Sequence, residues 1–155
     1  MQHVDRHARY LDYPLQNEWY ESDRIYFDLK ELFLEANRRL LQTDQELFRR
    51  NVCERSICGA LMLKLKTVLF RTPFGKYNID TEYNRNYDGI KRILVEGDEK
   101  PWQVFCDLIV HSRGKYKQQD NLIAVEMKKR NNRQGAEEDR RRLIALTRST
   151  YDGIW

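Results

Sequence analysis

The sequence predicts one α/β domain, built in the order helix, helix, strand, strand, strand, helix. Three observations predict it. Two stretches before residue 71 repeat apolar side chains at the spacing that places them on one face of a helix. Between Lys76 and Lys129, three shorter runs alternate or are continuously apolar in the manner of strands. Residues 136–148 (AEEDRRRLIALTR) return to helical spacing, with acidic residues in the first turn, where the helix macrodipole favours them. At 155 residues the chain is long enough to bury one core without disulfides or a structural metal.

Taken in order, the first twenty residues are irregular, rich in Tyr and broken by Pro14. Ile25, Leu29, Leu32, Phe33, Ala36 and Leu40 then form a helical stripe, so a helix is expected from about Asp23 to Gln42, capped by Ser22 or Asp23. Thr43-Asp44-Gln45-Glu46 has the form of a capping box, which predicts a second helix from there to about Phe70. Arg71-Thr72-Pro73-Phe74-Gly75 supplies the turn that ends it. Residues 1–43 thus read as an N-terminal extension with a helix packed on a core of residues 44–155. Lys76–Arg85 (KYNIDTEYNR) alternates and predicts a strand, and Asn86–Lys100 a polar connection. Gln103–His111 (QVFCDLIVH) and Asn121–Lys129 (NLIAVEMKK) predict two more strands, joined as a hairpin through the turn that begins at Ser112-Arg113-Gly114. Tyr151–Trp155 reads as the start of a further strand.

Composition narrows the class. A hydrophobic fraction of 41% with 12% aromatics excludes a disordered chain. No apolar run approaches bilayer length, and MQHVDRHARY lacks the apolar stretch of a secretory signal, so a cytoplasmic protein with no membrane partner is expected. The three cysteines are odd in number and form no C-x-x-C pair, which favours reduced thiols over a redox or metal role. Net charge is +4, and residues 101–155 carry 11 basic against 7 acidic side chains. That excess suits a polyanionic partner or, equally, a solvated face.

Three features resist a purely structural account. In the strand Asn121–Lys129, alternation puts Leu122, Ala124, Glu126 and Lys128 on one face, so a carboxylate and an ammonium point the same way. Asp107 sits between Phe105 and Ile109, with Cys106 and Leu108 beside it, and burying a carboxylate there is costly unless it is paired or holds a cation. Glu54 lies one turn before Ile57 on the stripe that continues through Leu61, Leu65 and Val68. Salt bridges with Lys128 are the plain alternative for the two strand carboxylates, and a solvated helix entry for Glu54. His111 shares a face with Asp107 and reads as a satisfied strand-end histidine rather than a phosphate contact. Asp80 and Glu82 share a face of the first strand and either extend the acidic site or pair with Arg85 or the helices.

Glu54, then Asp107, then Glu126-Met127-Lys128, in this order and with 19 positions between the strand carboxylates, resembles the PD-(D/E)XK nuclease superfamily, the restriction-endonuclease-like fold. The likeness covers roughly residues 44–155. YNIDTEYNR (77–85), CDLIVHSRG (106–114) and NLIAVEMK (121–128) resemble a bacterial subgroup of it. Cys106 stands where the family has proline. The resemblance implies a mixed sheet that starts as an antiparallel meander, flanked by helices. It implies a metal-dependent nuclease that hydrolyses phosphodiester bonds of nucleic acid, with DNA as the expected polymer and a homodimer left open. Catalysis would fall to Lys128, Glu126, Asp107 and Glu54. Mg²⁺, or Mn²⁺ in its place, would be held by Asp107, Glu126, Glu54 and the backbone carbonyl of Met127. Arg113, Lys115, Lys117, Lys129, Arg130 and Arg133 would meet the nucleic-acid backbone and border the acidic cleft. The alternative is a catalytically silent module of the same fold that binds nucleic acid or a protein partner.

Overall fold

The computed structural model describes residues 18–83, 85–86, 89–90, 92–93, 102–103, 105–116, 119–128 and 133–148. The strand expected at Tyr151–Trp155, the irregular segment before residue 18, and the basic residues Lys117, Lys129 and Arg130 lie outside these residues. Helix α1 spans Glu18–Thr43, α2 Gln45–Arg49, α3 Glu54–Leu69 and α4 Arg133–Arg148. Strand β1 spans Asn78–Tyr83, β6 Cys106–His111 and β7 Asn121–Val125. Between β1 and β6 lie four two-residue strands: β2 (Arg85–Asn86), β3 (Gly89–Ile90), β4 (Arg92–Ile93) and β5 (Trp102–Gln103).

The first long helix begins at Glu18, earlier than the stripe predicts, which puts Ser22 and Asp23 inside it rather than at its cap. The capping box expected at Thr43 does not form. Thr43 closes α1 and donates from Oγ1 to the Arg39 carbonyl (2.9 Å). Asp44 stands at the N-cap of α2 without a side-chain cap bond. Its carboxylate instead accepts from Thr43 Oγ1 and lies 2.9 Å from Lys64 Nζ.

The second helix expected from residue 43 to 70 is two helices. Asn51 adopts φ 50°, and the Val52 and Asn51 amides donate back to the Leu47 and Phe48 carbonyls (3.2 and 3.1 Å). This is a Schellman ending, and asparagine is among the few residues that tolerate the left-handed conformation it requires. Helix α3 starts afresh at Glu54 and buries Cys58, Leu61, Leu65 and Leu69. Its end turns sharply at Gly75, where a Cβ would stand 2.6 Å from the Phe70 carbonyl oxygen.

The three long strands form an antiparallel sheet in the order β1-β6-β7. The meander expected from the sequence is present, and β6 and β7 are joined as a hairpin. Ile79 pairs with Val110 and Thr81 with Leu108, while Val110 pairs with Ile123 and Leu108 with Val125. Residues 86–100, expected as a polar connection, contribute to two short ladders, β2 with β3 and β4 with β5.

Both faces of the sheet are covered. Leu108 and Val110, with Ile79, Ile123 and Val125, pack against Leu61, Leu65 and Leu69 of α3 and Leu29, Ala36 and Leu40 of α1. Ile109 and Cys106, with Ala124 and Tyr83, pack against Ala145 and Leu146 of α4. Each fully buried leucine in this arrangement contributes roughly 1.5–3 kcal/mol. No helix among the described residues is long and apolar enough to cross a membrane.

Candidate active site

Asp107 is the second residue of β6, and the β6–β7 register, continued one position past Leu108 and Val125, sets Glu126 opposite it. The two carboxylates therefore arise from adjacent strands at one end of the sheet. Strand pairing stops at Val125, and the reason is visible in Asp107, whose Oδ2 accepts from the Met127 amide (2.6 Å). A side chain thus takes a hydrogen bond that a ladder partner would otherwise accept. That bond fixes Glu126-Met127-Lys128 just beyond the strand.

The Glu126 side chain is only 4% exposed, and burial pushes its carboxyl from the ordinary value of 4.5 up to about 7. The Arg142 hydrogen bond and charge pull it down, Asp107 and Asp139 push it up, and burial prevails. Arg142 Nη1 of α4 donates to Glu126 Oε1 (2.7 Å) and to Asp139 Oδ1 (3.2 Å). Lys128 Nζ lies 3.1 Å from Asp139 Oδ2. The plain alternative, a salt bridge of Lys128 with Asp107 or Glu126, is not the pairing found; Lys128 pairs with a third carboxylate, on α4. That contact holds the Lys128 ammonium firmly protonated, with Glu54 and Asp107 adding to the effect at longer range.

Glu54 opens α3, half-buried, on the helix that packs against the face of the sheet opposite α4. Four residues on, Cys58 places its Sγ 3.8 Å from Met127 Sδ. Burial, with the charges of Asp107, Glu54, Glu126 and Glu82 adding to it, raises the Cys58 thiol to about 11. Among the described residues, no three His, Cys, Asp or Glu side chains are already drawn together closely enough to hold a metal ion.

The basic residues divide differently. Arg113 and Lys115 stand in the turn beyond His111, at the opposite end of β6 from Asp107, roughly 13 Å or more away at strand rise. The expectation that this turn borders the acidic cluster is not met by these two, because a hairpin carries its turn to the far end from the start of β6. Arg113 is occupied by Asp80, with Nε and Nη2 at 2.7 and 2.5 Å. Lys115 is exposed, and Arg133 begins α4. His111, buried, bonds Asp80 Oδ2 through Nε2 (2.8 Å) and stacks edge-on with Tyr83, so it is a satisfied core histidine. Asp80 and Glu82 do not extend the site together. Glu82, at φ 52°, turns to Arg55 of α3 (2.5 Å).

Asp139 and Arg142 were not singled out by the sequence. A signal existed, since Asp139, Arg142 or Leu143, and Leu146 recur at helical spacing on the buried stripe of α4, which makes Asp139 a carboxylate on an apolar face just as Glu54 is. No protein-family model matches the chain, and neither does any curated protein or solved structure.

Proposed function

We propose that this chain is a metal-dependent nuclease with a restriction-endonuclease-like core, cutting phosphodiester bonds of nucleic acid, DNA foremost. The observation that supports the reading is the placement of Asp107 and, just past β7, Glu126 on neighbouring antiparallel strands at one end of the meander, with Lys128 two residues on and Glu54 opening α3. The donor set suits a hard cation. Glu126 is held near neutrality by burial and by the acids around it, and a divalent ion is the partner that would let such a cluster ionise together. Asp107, Glu126, Glu54 and the Met127 carbonyl would hold Mg²⁺, with Mn²⁺ substituting. When bound, such an ion lowers the pKa of its water and offsets charge that develops on the phosphate.

The chain's own residues supply the rest. Asp107 fixes the backbone at Met127, and so sets where Glu126 and Lys128 project. Lys128, kept protonated, orients the attacking water and offsets phosphate charge; Asp139 anchors its ammonium. The test is plasmid or duplex cleavage with Mg²⁺ or Mn²⁺, in the wild type and in Lys128→Ala and Asp107→Ala. Cutting by the wild type and loss in both variants, with the fold intact by circular dichroism, is the expected result. No cutting by the wild type with either ion sinks the enzyme claim.

One observation favours the second reading, a silent module of the same architecture. Glu126 and Lys128 each already have a partner on α4, so the site's charges are partly neutralised from within. A silent module binds nucleic acid or protein without cleaving either.

A further inference from the structure

Arg142 is a strong cation placed against Glu126, a carboxylate that the nuclease reading assigns to metal binding. Among the described residues, its Nη1 donates to Glu126 Oε1 and to Asp139 Oδ1. Its Nε–H is buried and finds no partner among the described residues. A guanidinium offers five donors in a fixed fork, and leaving one buried and unused is unfavourable. One nitrogen thus does the work of two, and the fork is not seated bidentately on either acid. Burial opposes its charge, and the hydrogen bond and charge of Glu126 prevail over that opposition.

The charges around it are informative. Glu54, Asp107, Glu126 and Asp139 bring four carboxylates to this end of the sheet, and Lys128 and Arg142 bring two cations. Asp139 stays with Arg142 and Lys128 whether or not Glu126 does, so Arg142 has somewhere to remain when Glu126 is taken from it.

We propose that Arg142 is an internal counter-ion that competes with the divalent cation for Glu126: it occupies the carboxylate in the ion-free protein and must yield it, retaining Asp139, when the ion is bound. Arg142 is thereby a positioning residue that sets the threshold ion concentration of the site. The inference rests on the nuclease reading, because it takes Glu126 to be a metal ligand.

The two roles open to Arg142 predict opposite signs. A merely structural arginine would hold Glu126 in ligating position, and its loss would weaken ion binding. A competing counter-ion weakens ion binding while present, and its loss tightens it. The experiment is Mn²⁺ titration by isothermal calorimetry and electron paramagnetic resonance on the full chain, free of nucleic acid. Arg142→Gln is expected to lower the Kd for Mn²⁺ about tenfold or more, the scale of one nearby unit charge. Arg142→Lys, which keeps the charge, is expected to stay within about threefold of the wild type. An unchanged or raised Kd in Arg142→Gln overturns the inference and leaves the nuclease reading standing. Absence of Mn²⁺ binding in the wild type and in Arg142→Gln alike overturns both. Should Arg142→Gln fail to fold, the wild type decides: Mg²⁺ saturation is expected to shift the Arg142 Nε–H resonance, and an unmoved resonance overturns the inference.

Discussion

Strand β6 carries a carboxylate cluster at each of its ends, and the two are treated in opposite ways. At the His111 end, Asp80 accepts two hydrogen bonds from Arg113 and one from His111. The Arg113 hydrogen bonds hold its carboxyl below the usual range, against the opposing effect of burial, and His111 helps. At the Asp107 end, Glu126 has one arginine, deeper burial and two acidic neighbours, and its carboxyl rises to about 7. Arginine partners are thus present at both ends. What differs is the excess of acids and the depth of burial. A carboxylate with more donors than it needs braces the fold. A buried carboxylate with acidic neighbours is instead costly to ionise, and the proposed function assigns such a carboxylate to the site.

The largest contrast between the ends is expected in activity. Lys128→Ala and Asp107→Ala should each lower the rate of DNA cleavage about a thousandfold or more, as expected when a metal ligand or an electrostatic stabiliser is removed. Asp80→Asn, at the other end, should leave the rate of the folded protein within about twofold, since it touches no reacting atom. A comparable loss in all three would erase the distinction between the two ends.

Leu108 belongs to neither end, being packed with 0% exposure between β1, β7 and the helices. Leu108→Ala should cost roughly 2–5 kcal/mol of stability in denaturant melts, the usual range for a buried leucine truncated to alanine.

The pH profile of stability separates the two ends by sign. Glu126 is raised in the folded state, from 4.5 to about 7, so the native protein holds its proton more tightly than the unfolded chain. Without divalent ions, stability is therefore lost as pH climbs from 4.5 through 7, by on the order of 3 kcal/mol, and Glu126→Gln should flatten that slope. Asp80 is lowered, so its contribution is present above its ordinary value of 3.8 and is lost as pH falls through its folded value. Asp80→Asn should remove this acid limb, worth roughly 1 kcal/mol for a partly exposed carboxylate. Urea melts at pH 3, 5 and 8 read both slopes. If the two variants change the same limb, the ends do not differ electrostatically.

The smallest effect lies away from either end. Glu46 pairs with Arg49 and Arg50 on an exposed face of α2 (2.9 and 3.4 Å). Glu46→Gln should change stability by less than about 0.5 kcal/mol in the same melts, which sets the baseline against which the buried clusters stand out.

Much of this contrast was legible in the sequence. The stripe of Leu29, Ala36 and Leu40, the three strands and the shared face of Glu126 and Lys128 all follow from repeats of the backbone itself, 3.6 residues in a helix and two in a strand. Glu54 was legible because a carboxylate on an apolar stripe breaks that repeat. Asp139 broke the stripe of α4 in the same way but stood among the charges of EEDRRR, where one more acid carries little contrast. The break at Asn51 was hidden for a related reason, since apolar residues resume in helical phase on both sides of it.

The sequence by itself determined which residues alternate, which stripe is buried and which acids lie on apolar faces, because periodicity is a property of neighbours along one element. Only the tertiary structure decided who neutralises whom. Arg142 faces Glu126 and Lys128 faces Asp139 because α4 lies across the sheet at Ile109 and Ala124. Arg113 folds onto Asp80 because the hairpin turn is at the far end of β6 from Asp107. Such pairings depend on how elements pack and register, and an ion pair needs its partners within a few ångströms, a distance that no spacing along the chain encodes.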